Sequence, residues 1–298
     1  MGLLHGILLL HLAVTAGVMI NLRRAEAQTI NEHCRGRCGN MDIPYPFGIG
    51  GGCYLNKKFN ITCDESTNPP KAYLRKGNIQ VTNISISDGE LIVLQLIAKD
   101  CYDKNGLQYQ DDTLTASLDL SSFTISSTKN KFTAIGCDTY AIIRGFRGEQ
   151  RYRTGCLSLC DRAGDINYET CSGVGCCQVM SIPPRLNNFT VILRSYSNHT
   201  KVWDFNRCSF GVLAEESQFK FSNRSFNEFE NKKYFPLVVD WSIGDSPCEK
   251  AREFKNSICH LETSECVDSN SSSGYLCRCL PGFTGNPYHP NGCQRYHY

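Results

Sequence analysis

"NIQVTNISISDGELIVLQLIAKDC", residues 78–101, decides the class of fold. Two runs rich in Ile, Val and Thr flank Asp88-Gly89. An Asp-Gly step between such runs is a strong hairpin signal, because Gly supplies the positive φ of a tight turn. Alternation along the first run puts Thr82, Ile84 and Ile86 on one side and Val81, Asn83, Ser85 and Ser87 on the other, with Asn83 facing solvent. "FTISSTKNKFTAIGC" (123–137) reads as a second hairpin around Lys129-Asn130, and "NFTVILRSY" (188–196) as a further strand. Helical periodicity is confined to short pieces such as "PCEKAREFKNSIC" (247–259). The expected fold is mainly β.

Cysteine usage sets the compartment. The chain carries 18 cysteines, all from Cys34 onward. An even count of this density belongs to an oxidised, exported protein and reads as a disulfide framework. The N-terminal sequence agrees: an apolar run from Leu3 to Ile20 precedes Ala25-Glu26-Ala27, so a secretory signal peptide over 1–27 and a mature start at Gln28 are expected. Arg23-Arg24 lie after the apolar run, and an uncleaved anchor is the alternative. No second apolar stretch is long enough to cross a bilayer. Six N-x-S/T sequons, at Asn60, Asn83, Asn188, Asn198, Asn223 and Asn270, point to export as well.

The spacing divides the chain. Twelve cysteines fall at wide, irregular intervals in 34–208, a stretch that must bury a core of its own, while six crowd into 248–293. That second segment is poor in large apolar residues and depends on its bridges. Its pattern, C-x10-C-x6-C-x10-C-x-C-x13-C, followed by "LPGFTGNPYHPNGC", resembles an EGF-like domain. The resemblance implies bridges Cys248–Cys266, Cys259–Cys277 and Cys279–Cys293, each worth about 3 kcal/mol in the chain-entropy picture. Asp268 is the calcium candidate of this module. With only Asp245 in the lead-in, too few oxygens are visible for a hard cation, and no metal or other cofactor is expected.

Net charge is +2, and +1 without the leader, so no global field selects nucleic acid as a partner. Charge is segregated instead. Acids dominate from Asp88 to Asp119, while Lys129, Lys131, Arg144, Arg147, Arg151 and Arg153 dominate from 129 to 153. Catalytic patterns are missing. "GIGGGC" lacks a following Lys-Ser/Thr, and the acid pairs Asp111-Asp112 and Glu215-Glu216 are adjacent in sequence and read as solvated turns. The C-x3-C steps at 34–38 and 156–160 lack the paired knuckles of a zinc site.

"CGNMDIPYPFGIGGGCYLNKKFNITCDES", "CSGVGCCQVMSIPPRLNNFTVIL" and "GYLCRCLPGFTGNPYHPNGC" together resemble the extracellular region of plant wall-associated receptor kinases, in that family's order, over residues 34–293. The resemblance implies a galacturonan-binding, cysteine-rich domain at 28–105, a β-rich cysteine-containing region at 106–240, an EGF-like domain at 245–293 and a tail at 294–298. It also implies a partner, de-esterified pectin or its oligogalacturonides, and a place at the cell wall. The given chain has no kinase segment, and no enzymatic activity is expected. A protein-interaction module pairing with full-length receptors is the alternative.

A polygalacturonate carries a carboxylate on every sugar, which calls for repeated cationic donors, Arg above all for its bidentate fork. "RGFRGEQRYR" supplies Arg144, Arg147, Arg151 and Arg153, the last two on one face of a strand. Lys57, Lys58, Lys71, Arg75 and Lys76 form the second candidate set, with Tyr54, Tyr73 and Tyr152 as flat surfaces for sugar rings. In "IPYPFG", Pro44 and Pro46 predict an extended path through Tyr45, with Tyr45 and Phe47 spent on the core.

Overall fold

The computed structural model describes residues 33–109, 115–253, 257–259 and 262–296. The signal-peptide expectation, Asp111-Asp112 and the last two residues of the tail lie outside them.

Strands dominate. A small ladder pairs β1 (Arg37–Cys38) with β2 (Met41–Asp42). The largest sheet has six strands in the order β3 (Ile61–Asp64), β4 (Lys71–Leu74), β5 (Gln80–Ser85), β6 (Glu90–Leu96), β16 (Tyr234–Asp240) and β9 (Thr124–Ile125). A four-stranded sheet runs β13 (Cys176–Val179), β10 (Asn130–Ile135), β15 (Cys208–Glu215), β7 (Ala98–Cys101). A second runs β12 (Gln150–Leu159), β11 (Asp138–Arg147), β14 (Asn188–Arg194), β8 (Thr115–Asp119). The last segment folds as two ribbons, β17 (Ser264–Asp268) with β18 (Tyr275–Cys279) and β19 (Phe283–Gly285) with β20 (Cys293–Arg295), after a one-and-a-half-turn helix at Cys248–Glu253.

The Asp88-Gly89 hairpin forms between β5 and β6, with Gly89 at φ +70°. Strict alternation fails inside it. A bulge between Val81 and Asn83 leaves Thr82 and Asn83 both exposed, while Val81 and Ile84 stand opposite the buried residues Val93 and Leu91 of β6. Asn83 faces solvent all the same. The hairpin expected at 123–137 does not exist. β9 pairs with β16 and β10 with β13 and β15, because Asn130 is a buried bridge: its amide donates to the carbonyls of Ser126 and Val238 and accepts from Val238 N–H. The path through Tyr45 is a turn, with a cis Tyr45–Pro46 peptide and Phe47 N–H on the carbonyl of Pro44 at 3.0 Å.

Phe47 lies at the centre of the main core. Its ring meets Phe59 and Trp241 edge-on at 5.0 and 5.4 Å, and Trp241 in turn contacts Tyr288 of the C-terminal segment at 5.4 Å. Tyr275, Leu276 and Tyr288 are buried in that same cluster. The small cystine segment therefore folds onto the β lobe instead of standing beside it. Asn286 donates to the Tyr45 carbonyl, and Ile243 and Tyr275 exchange backbone bonds at 2.8 and 2.9 Å.

Nine disulfides join all eighteen cysteines: 34–53, 38–63, 101–208, 137–160, 156–177, 171–176, 248–266, 259–277 and 279–293. The Cys101–Cys208 bridge closes the longest loop and ties β7 to β15. No group of three or more His, Cys, Asp or Glu among the described residues could hold a metal ion. Nor is any helix among them long and apolar enough to cross a membrane.

Candidate functional site: a cationic sheet face

β11 and β12, ten residues each, form a hairpin closed by Gly148-Glu149, with Gly148 at φ +60°. Register decides which arginines meet. Arg144 stands directly opposite Arg153, and Arg151 opposite Phe146. Directly opposed side chains share a face with their Cβ atoms about 4.5–5.5 Å apart, and Arg151 and Arg153 follow one another at about 6.5–7 Å. Three guanidinium groups thus occupy one small area. Arg147, opposite Gln150, projects from the other face, so the structure brings together three of the four.

The same face continues across the sheet. Arg144 aligns with Thr190 and Ser117, whose hydroxyls bond to each other at 3.1 Å, and Phe146 aligns with Asn188 and then Asp119. Toward the other end come Ile142 with Ile192 and Tyr140 with Arg194. Phe146 and Leu157 are 45% and 51% exposed, giving apolar surface among the cations. The opposite face, with Ala141, Ile143, Phe189, Val191 and Leu193, is buried in the main core. Tyr152 belongs to that side. It packs on the core, its hydroxyl reaches the Ser181 carbonyl at 3.4 Å, and burial raises its pKa, so it offers no ring to the arginine face.

The ion pairs among the described residues join Arg35 to Glu65, Arg37 to Asp42, Lys129 to Glu90 and Lys131 to Glu216. Those pairs neutralise the lysine part of the basic run and leave the arginine hairpin without a carboxylate partner among these residues. Three like charges held this close favour any ligand that supplies the missing anions.

The second candidate set is dispersed. Lys57 is exposed on a single 3-10 turn, whereas Lys58 is half-buried over the Phe59 ring at 5.2 Å. Burial lowers the pKa of Lys58, partly offset by the charge of Asp245. Lys71 stands opposite Asp64, whose carboxyl is held below its usual range mainly by hydrogen bonds from Ser66. Lys76 is exposed, and Tyr73 lies opposite Thr62 and Gln80. Tyr54 packs on the core. Arg75 turns elsewhere: its guanidinium reaches the carbonyl of Leu120 at 3.4 Å, next to Asp119 at the end of β8. It therefore lies beside the end of β8, the far edge strand of that sheet.

Sequence reading missed Phe146, Leu157 and Arg194 as members of the face. The available signal was the two-residue period continued through 140–146, 151–157 and 188–194. Asp268 is committed to the fold, since Oδ1 accepts the Cys248 N–H that opens the short helix at 2.6 Å. Of the sequon asparagines, Asn83, Asn198, Asn223 and Asn270 are exposed, while Asn60 and Asn188 are half-buried.

Residues 34–95 match the family model described as wall-associated receptor kinase galacturonan-binding. Over 88% of its length the chain is 41% identical to wall-associated receptor kinase 2 of Arabidopsis thaliana, 40% to wall-associated receptor kinase 5 and 39% to wall-associated receptor kinase 1. It spans 34% of the length of each of these relatives. No solved structure matches. Most of the chain is thus similar to about a third of these plant wall-associated receptor kinases, and residues 34–95 carry the match to their galacturonan-binding family.

Proposed function

We propose that this chain is an extracellular module that binds acidic cell-wall polysaccharide, with de-esterified pectin or oligogalacturonides as ligand. The observation that carries the reading is the match of residues 34–95 to the galacturonan-binding family, set against a sheet that clusters Arg144, Arg151 and Arg153. Each guanidinium offers two parallel N–H donors to a carboxylate, Phe146 offers apolar contact to a sugar ring beside the charges, and Leu157 extends that apolar surface further along the face. Arg75 extends the site from the matched segment to the edge of the same sheet. The module has no catalytic part in this reading. It holds the polymer at the wall.

Binding of a sized oligogalacturonide fraction by the purified chain, measured by calorimetry at low and moderate salt, tests this. Affinity falls as salt rises, because the screening length between exposed charges shrinks from about 30 Å at 0.01 M to about 8 Å at 0.15 M ionic strength. Replacing Arg144, Arg151 and Arg153 together by Gln lowers affinity by at least about tenfold, that is about 1.4 kcal/mol. Arg147→Gln, on the other face, has a much smaller effect. Unchanged affinity in the triple variant, with a loss on replacing Lys57 and Lys76, would move the site onto the 57–76 segment. Absence of any salt-dependent binding would sink the proposal.

A further inference from the structure

The sequon Asn188-Phe189-Thr190 lies in β14 with its two polar members on the arginine face and Phe189 in the core. Asn188 stands opposite Phe146, and the next residue in that row is Arg151. With strands about 4.8 Å apart, Asn188 is about 10 Å from Arg151, and Arg144 is its diagonal neighbour at about 7–8 Å. On its other side come Asp119 and then the Leu120 carbonyl that Arg75 reaches. The sequon therefore sits on the arginine face one strand from the hairpin, with the edge strand β8 on its other side. Its amide is oriented: Oδ1 accepts Phe146 N–H at 3.1 Å, and Nδ2 donates to Asn187 Oδ1 at 2.8 Å, leaving one Nδ2 proton.

We propose that Asn188 carries an N-linked glycan and that this glycan covers the arginine face, so that occupancy of one sequon sets how much of the face an acidic polysaccharide reaches. The attachment replaces one Nδ2 proton. A bond forms from Nδ2 to the anomeric carbon of a lipid-diphosphate-linked oligosaccharide, the bond from that carbon to the diphosphate oxygen breaks, and the proton leaves with the diphosphate. The ligand part of the inference rests on the function proposed above. The covering itself rests on register.

The test uses the glycosylated chain, Asn188→Gln, Thr190→Ala (which removes the sequon but keeps Asn188) and Asn270→Gln, whose sequon lies between β17 and β18, as control. Mass spectrometry of the Asn188 peptide reads occupancy. The rate at which an arginine-selective dicarbonyl reagent labels Arg144, Arg151 and Arg153 reads covering without any polysaccharide. Occupied Asn188, labelling several-fold faster in both variants and unchanged in the control, is the expected result, with oligogalacturonide affinity rising in parallel. Enzymatic release of the glycans from the folded chain repeats the comparison if either variant misfolds. An unoccupied Asn188, or labelling indifferent to glycan removal, overturns the proposal. Faster labelling without a gain in oligogalacturonide affinity leaves the covering standing and overturns the polysaccharide reading of the face.

Discussion

His199 shows what a single residue does in this fold. Its ring is fully buried and stacks on Tyr102 at 5.3 Å. Nδ1 lies 2.9 Å from the Asn206 carbonyl, which can only accept, so Nδ1 carries the proton and Nε2 accepts from the Ser209 hydroxyl at 3.0 Å. The backbone N–H of His199 joins those of Tyr196 and Ser197 and the Ser195 hydroxyl on the carboxylate of Asp138. Burial lowers the pKa of His199, against smaller opposing effects of the bond to Asn206 and the charges of Asp138 and Asp100. In the unfolded chain the imidazole protonates near its ordinary value. The unfolded state therefore binds more protons as pH drops below about 6.5, and stability falls toward acid. His199→Gln is expected to flatten the decline of Tm between pH 7 and pH 5. It also lowers Tm at pH 7, as the loss of buried hydrogen bonds costs about 1–3 kcal/mol. An unchanged acid limb would show that other groups set it. Asp100, whose carboxyl burial raises, acts in the opposite direction and stays in both proteins. Nothing local in "SNHT" distinguishes this histidine from a solvated loop, because its partners lie at 102, 138, 206 and 209.

At the scale of elements, the β11–β12 hairpin is the best case of legibility and its limits. "RYR" marked a shared face, and the two-residue turn at Gly148-Glu149 fixes the register that brings Arg144 together with Arg151 and Arg153. How the face continues depends on the pairing of β11 with β14, which is distant in sequence. Gly145 makes that pairing possible: a Cβ there would stand 2.3 Å from the Asn188 carbonyl and 2.8 Å from Leu186. Gly145→Ala must push β11 away from β14, a strain of the order of 1–3 kcal/mol. The expected outcome is a lower Tm together with weaker oligogalacturonide binding, although no charged group has changed. Retained stability and affinity would mean that β14 does not fix the face. The reading failed where a polar pair looked like a turn. Lys129-Asn130 suggested a hairpin tip, yet Asn130 is buried and bridges to β16, a contact 108 residues away that no local pattern encodes.

At the scale of the whole molecule the C-terminal cystine segment docks on the β lobe, and one half-buried acid sits at the junction. Asp240 ends β16 where the six-stranded sheet meets that segment, lining a cleft of about 300 Å³ with Glu90, Ser126, Ser271 and Arg278. Burial, reinforced by the charge of Glu90, pushes its pKa up to about 6, against hydrogen bonds from Ser126 and Ser271 and the charge of Lys129. A carboxyl raised in the folded state binds its proton more tightly there than in the unfolded chain. Its contribution is therefore most favourable in acid and is lost as pH rises from about 4 to about 6. The remaining cost at pH 7 is on the order of 2–3 kcal/mol. Asp240→Asn keeps the shape and an acceptor oxygen but removes the charge. Its Tm is expected to exceed that of the parent at pH 7 and to equal it at pH 4. Hydrogen exchange reads where the gain falls: slower exchange at Tyr275 and Ile243, which pair across the junction at 2.8 and 2.9 Å, locates it at the docking of the segment. An equal Tm at both pH values would show that Asp240 is already neutralised by Lys129. A gain without change at Tyr275 and Ile243 would place its effect inside the sheet and leave the docking independent of pH.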